Sequence, residues 1–219
     1  MERVSHKHYS NEGNKLVLEA IPKKPLTILD LGCGAGSNAR VCVERGHTVD
    51  GITLSELEAS VSRSICRDVV VCDLEQGLPD VVLSRRYDFC ICSHVLEHLR
   101  WPKELLIQVR SVLPASGPRM VVALPNIMYF KSRYALFRGR FDYVESGIMD
   151  ASHFRWFTFQ TGIQLLEEAG YSVLSAKAEG NFPLSMVRRF LPSGMTRPLD
   201  ASAVKWFPGL FGLQLVYVA

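Results

Sequence analysis

The sequence lacks long apolar runs, blocks of one charge and paired cysteines, and each absence removes a class of protein. No segment reaches the roughly 18 consecutive apolar residues of a membrane-crossing helix. The first ten residues, MERVSHKHYS, hold no apolar stretch suited to a signal peptide. The expectation is a cytoplasmic protein with no membrane span. Formal net charge is only +3, and the basic residues form nothing larger than short pairs such as VRRF at 187–190. Neither a nucleic-acid partner nor an anionic membrane surface is expected from that. The six cysteines, Cys33, Cys42, Cys66, Cys72, Cys90 and Cys92, show no zinc-site spacing and read as buried reduced thiols. Cys90 and Cys92 flank Ile91 in an apolar run, so they point to one face of a strand. There is no internal repeat and no low-complexity tract.

What is present suits one large domain: 219 residues, 47% hydrophobic and 21% charged. Apolar strand patterns fall at 26–32, 47–54, 68–73, 86–95 and 119–126, and helical patterns at 14–21, 37–46, from 55, and at 102–113. Strand and helix alternate, which predicts an α/β protein with a mostly parallel sheet. Ligands of such sheets sit beyond the carboxyl ends of the strands. Residues 127–160 break the rhythm, being dense in aromatics and arginine, and read as an excursion over those ends. A helix at 161–170 and strands at 171–178 and 212–219 follow, separated by a proline-containing stretch at 180–209 with no clear pattern.

The most informative stretch is LDLGCGAGSNA at 29–39. Gly32, Gly34 and Gly36 alternate behind Asp30. A glycine turn after a buried strand lets backbone approach a ligand. The dinucleotide fingerprint is G-x-G-x-x-G, and here the third glycine comes one residue early. A carboxylate two residues before the first glycine would repel a pyrophosphate but attract an ammonium. The spacing prefers an amino-acid-bearing nucleoside to a dinucleotide, which counts against an NAD-dependent oxidoreductase.

With these residues the chain resembles the class I S-adenosylmethionine (SAM) methyltransferases, and the likeness extends along most of its length. The resemblance implies a doubly wound, Rossmann-like sheet of seven strands in the order 3-2-1-4-5-7-6 with the last antiparallel, and SAM as cofactor. It places Asp30, Gly32, Cys33, Gly34 and Gly36 at the cofactor. The second strand ends in VDGITLSELE, without the usual ribose-binding acid, so Thr53 and Glu58 become the ribose candidates, Glu58 being equally a solvated helix charge. Asp73 and Leu74, from VVVCDLEQGLP, are implied at the adenine, and Ser93 and His94, from YDFCICSHVLEHL, at the cofactor cleft. LPNIMYFKSRYALFRGRFDY, HFRWFT and PGLFGLQLVYVA resemble the MetW and related type 11 and 23 methyltransferase-like proteins. In that group an accessory role through a partner enzyme, with weak or no SAM binding, is the alternative to catalysis.

His94, Glu97 and His98 together suggest a metal. Similar positions in some ubiquinone-pathway O-methyltransferases carry two glutamates and a histidine, but the LEH element is common throughout the fold without metal, and none is expected. A methyl acceptor with a hydroxyl needs a base, and imidazole has a suitable pKa. His153, in DASHFRWFT, and His98 are the catalytic candidates, although a loop histidine equally fixes local structure. Arg155 either clamps an anionic group or pairs with Asp150 or Glu145. The absence of an Asn-Pro-Pro-Tyr type signature favours an oxygen acceptor over nitrogen. One domain over 1–219 is expected, with 127–160 and 180–209 capping a small-molecule acceptor site, and with a homodimer or a partner enzyme open.

Overall fold

The computed structural model describes residues 13–183 and 193–219. The N-terminal stretch and the VRRF element lie outside these, as does part of the 180–209 segment. Chain order is α1 Lys15–Ala20, β1 Thr27–Leu31, α2 Ser37–Glu44, β2 Thr48–Thr53, α3 Glu56–Ser62, β3 Asp68–Val71, α4 Asp80–Leu83, β4 Phe89–Ser93, α5 Pro102–Ser111 and β5 Met120–Pro125. Then come α6 Phe130–Phe137, α7 Phe159–Glu168, β6 Ser175–Gly180, α8 Ser193–Trp206, α9 Pro208–Phe211 and β7 Gly212–Val218. One sheet has the order β3-β2-β1-β4-β5-β7-β6. β1 to β5 pair in parallel, while β7 runs antiparallel to both β5 and β6. This is the expected doubly wound α/β sheet.

The unbroken apolar runs of β1, β4 and β5 follow from burial on both faces. Alternate side chains divide between two cores. Leu29, Leu31, Cys90, Cys92, Val122 and Leu124 meet α5 and α7 on one face. Ile28, Phe89, Ile91 and Val121 meet α1 and α2 on the other. The six cysteines are free; Cys72 is half-buried and the rest are buried. Cys90 and Cys92 share a face as expected. No helix among the described residues is long and apolar enough to cross a membrane.

Local chemistry sets the boundaries, and several differ from the sequence pattern. Strand β4 begins at Phe89 rather than 86, because Tyr87 and Asp88 bond to the ends of neighbouring elements: Tyr87 N–H to the Val112 carbonyl and Asp88 N–H to that of Thr27. α7 begins at Phe159, not 161, because Thr158 and Thr161 form a reciprocal capping box. Ser55 caps α3 through the Glu58 N–H, as its sequence position suggested. The excursion contains a helix, α6, and the patternless 180–209 stretch contains α8 with Pro198 inside it. α4 is too short to leave a periodic pattern.

Asp50, on β2, ties the far edge of the sheet together. Its carboxylate accepts from Arg67 Nε and Nη2 at 2.8 and 2.6 Å, from Arg85 Nη1 at 3.0 Å and from the Tyr87 hydroxyl at 3.1 Å. Burial alone would raise its pKa, but Arg67, Arg85 and Tyr87 outweigh burial and hold it below 3.8. Stability from a depressed carboxyl is present above the unfolded pKa and is lost as pH falls through the folded one. Asp50→Asn should therefore cost about 1–3 kcal/mol at pH 7, below the range for fully buried pairs because both arginines are partly exposed. In urea unfolding, the gap between variant and wild type should close as the pH drops below 3.8.

Candidate functional site

The candidate residues gather at the carboxyl ends of β1, β2, β3 and β4. Asp30 sits near the end of β1 at 1% exposure, and its Oδ2 has no hydrogen-bond partner among the described residues. Burial pushes its carboxyl up to about 7. The chain then turns through Gly32, Gly34 and Gly36, at φ of +69°, +53° and +85°. A side chain at Gly32 would meet Val95 at 2.5 Å, and one at Gly36 would meet Ile65 at 2.9 Å. At Gly34 the nearest atom is Glu58 Oε1, at 3.6 Å. A side chain would therefore clash at Gly32 and Gly36 and make ordinary contact with Glu58 at Gly34. Cys33 contributes backbone only: its N–H bonds to the Ile52 carbonyl at 2.8 Å, and its thiol lies against Gly51, deprotonation there being opposed by burial.

On the β2 side, the Thr53 hydroxyl donates to Glu58 Oε2 at 2.8 Å, and Glu58 is only 9% exposed. Glu58 is thus not a solvated helix charge. A carboxylate reaches the end of β2 from the first turn of α3, supplying what the strand itself lacks. Asp73 follows β3 and uses Oδ1 to accept from the Glu75 N–H at 2.9 Å, capping the 3-10 turn Leu74–Gln76. Leu74 packs into the core beside Leu78 and Leu96.

The β4 side carries the titratable groups. His94 has φ of +57°, uncommon for a non-glycine residue. Its backbone N–H reaches the Ala123 carbonyl at 3.0 Å. Its Nδ1 donates to Glu97 Oε1 at 3.2 Å and its Nε2 to Gln214 Oε1 at 2.6 Å. Desolvation opposes the charge on this ring, but Glu97 and Gln214 prevail and raise its pKa above 6.5. Asn14, the cap of α1, closes the network: its Nδ2 donates to Gln214 Oε1 at 2.7 Å and to Ser93 Oγ at 3.4 Å. Sequence reading missed Asn14 and Gln214, which lie 200 residues apart. No local pattern marks such a pair.

The excursion is fastened to the same place. The Glu97 carbonyl accepts from the Phe154 and Arg155 N–H groups at 2.9 and 3.1 Å. Arg155 Nε and Nη2 donate to the Arg100 carbonyl at 2.9 and 2.6 Å, so of the two readings of Arg155 the loop pairing with Asp150 or Glu145 gives way to a loop contact with backbone. Asp150 instead accepts from the Ser152 hydroxyl at 2.6 Å. His98 and His153 meet edge to face with ring centroids 4.7 Å apart. Burial lowers the His153 pKa below 6.5, with Glu97 working against it, so the neutral ring is favoured. Asn126, at the end of β5, donates to the Gly209 and Gly212 carbonyls at 2.9 and 2.7 Å and joins the α9 region to the same rim. A separate cavity of about 380 Å³ opens beside α7, lined by Pro102, Trp156, Thr161 and Leu165 among others, and borders none of the cofactor candidates.

These residues fit SAM. A buried carboxyl with no hydrogen-bond partner at Oδ2 among the described residues, just before a glycine turn, suits a cationic amino-acid group, and one carboxylate held by Thr53 at the next strand suits sugar hydroxyls. A pyrophosphate fits neither. A ubiquinone biosynthesis O-methyltransferase from Rickettsia canadensis is 24% identical over 154 residues, covering 62% of this chain and 64% of that protein. An 18S rRNA (guanine-N(7))-methyltransferase from Bos taurus is 32% identical over 90 residues, covering 40% of this chain and 31% of that protein. The chain thus spans less than two thirds of the length of either. The crystal structure of a SAM-dependent methyltransferase from Archaeoglobus fulgidus superposes with a TM-score of 0.61 at 21% identity, covering 90% of this chain and 87% of that one, which supports the fold. A family profile described as a methyltransferase domain matches residues 5–176, and the chain belongs to that methyltransferase-domain family.

Proposed function

We propose that this protein transfers a methyl group from SAM to a hydroxyl oxygen of a small-molecule acceptor, in the cytoplasm. The observation that carries the cofactor half is the buried Asp30, whose Oδ2 has no hydrogen-bond partner among the described residues, two positions before the glycine turn. When bound, SAM supplies a methyl group already activated on a sulfonium. The residues of this chain then need only bind, align and remove a proton. Asp30 offers charge to the ammonium. Glu58, oriented by Thr53, offers acceptors to the ribose. The second oxygen of Asp73 is assigned to the adenine amine, while Ser93 and His94 line the cleft. His153, with His98 beside it, takes the proton of the acceptor hydroxyl. The segment 127–160, with 180–183 and 193–209 of the described residues, is assigned to the cap on that side.

The Rickettsia relative is named as an O-methyltransferase and supports the oxygen reading. The bovine relative is named for rRNA. The low net charge of this chain favours a small acceptor. The test is calorimetric titration with SAM, S-adenosylhomocysteine and NAD, followed by a screen of hydroxylated acceptors. Micromolar binding of the first two without an NAD response supports the reading, and a folded sample that binds neither overturns it. Binding without turnover of any acceptor would instead favour the accessory role with a partner enzyme.

Two predictions follow from the site. Because Asp30 must lose its proton to hold a cation, SAM affinity should fall as the pH drops below 7, by up to tenfold per unit. Asp30→Asn should abolish that slope and weaken binding about 10- to 100-fold, yet raise the thermal midpoint at pH 8 by removing a buried charge. In kinetics on a competent acceptor, His153→Gln should lower kcat by about 10²-fold or more with KM little changed. Full turnover by that variant would remove His153 from the chemistry.

A further inference from the structure

We infer that Glu97, His98 and His153 form a binding site for a divalent first-row transition metal ion, which clasps the cap onto the end of β4. One ring nitrogen from each histidine and a carboxylate oxygen of Glu97 lie within 4.8 Å of one another. This is not the trio that adjacency in sequence suggests. His94 is excluded because both its ring nitrogens already face acceptors, Glu97 and Gln214. The third member comes from the cap, 55 positions beyond His98.

Three independent features point to a ligand here. First, Glu97 is 1% exposed, and its Oε2 has no hydrogen-bond partner among the described residues. A buried carboxylate oxygen left unpaired is costly unless something else meets it. Second, the hydrogen bonds prepare both imidazoles alike. His153 Nδ1 faces the Ile148 carbonyl at 3.0 Å and so carries the proton. His98 Nδ1 faces the Ser152 hydroxyl at 3.1 Å, and that hydroxyl in turn donates to Asp150. With both Nδ1 atoms donating, both Nε2 atoms keep a lone pair. Metal-bound histidines are held in this way, the outer nitrogen bonded to a carbonyl or relayed to a carboxylate. Third, two imidazoles and one carboxylate select zinc, iron or manganese over calcium or magnesium, which prefer oxygen throughout. Metal–ligand bonds of about 2.0–2.2 Å are within reach of donors so grouped.

The inference stands on this geometry and not on the methyl-transfer reading. A bound ion would engage both Nε2 lone pairs, so it is an alternative to a free His153 base. Binding and turnover therefore need separate measurement. The probe is Co²⁺, and then Zn²⁺, added to full-length protein stripped with chelator. Expected are one Co²⁺ per chain with visible ligand-field absorption, and a Zn²⁺-dependent rise in thermal midpoint. His153→Gln should weaken Co²⁺ binding at least 100-fold and remove the rise. Ser152→Ala, which disturbs only the outer bond to His98, should weaken binding about 10-fold. Stripped wild type that takes up no Co²⁺ or Zn²⁺ at 100-micromolar order overturns the site, as does His153→Gln binding as tightly as wild type. Turnover by the stripped enzyme leaves the methyl-transfer reading in place whichever result is obtained.

Discussion

A carboxyl group is sealed into the central strand, and its Oδ2 meets no hydrogen-bond partner among the described residues. Asp30 lies between β2 and β4 at 1% exposure, and its pKa is driven to about 7 by burial alone. An apolar residue there would make a more stable sheet. The chain beyond Asp30 turns on three left-handed glycines; a side chain at Gly32 would strike Val95, and one at Gly36 would strike Ile65.

The two flanks of that turn are built differently. On the β2 flank the work is local: Thr53 and Glu58 are five residues apart, and the first turn of α3 brings the carboxylate back over the strand end. On the β4 flank it is wholly non-local. His94 is held by Glu97 below and by Gln214 from the antiparallel β7, which Asn14 joins from α1. The 127–160 segment hangs its backbone on the Glu97 carbonyl and its Ser152 on His98, which joins it to the turn after β4.

The motifs after β1 and β4 were legible because each is short, continuous and forced by a strand running into a turn. Asp30 lies on β1, Ser93 ends β4, and Gly32, Gly34 and Gly36 between β1 and α2 all have positive φ. Glu58 could not be told from a surface charge, since a helix periodicity does not say which turn faces the cleft. Leu74 was expected to lie on an adenine ring, yet it also belongs to the core. α8 was invisible because Pro198 interrupts its pattern, and α6 because its apolar residues are not confined to one face.

By itself the sequence determined the alternation of strands and helices, the glycine turn and its acidic preface, because burial on two faces and positive φ demand particular residue types in particular order. Only the tertiary structure decided which histidines face each other, that Glu97 has an idle oxygen, and that Asn14 meets Gln214. Those contacts join segments separated by 55 to 200 residues. Distances across a folded sheet leave no trace in local spacing.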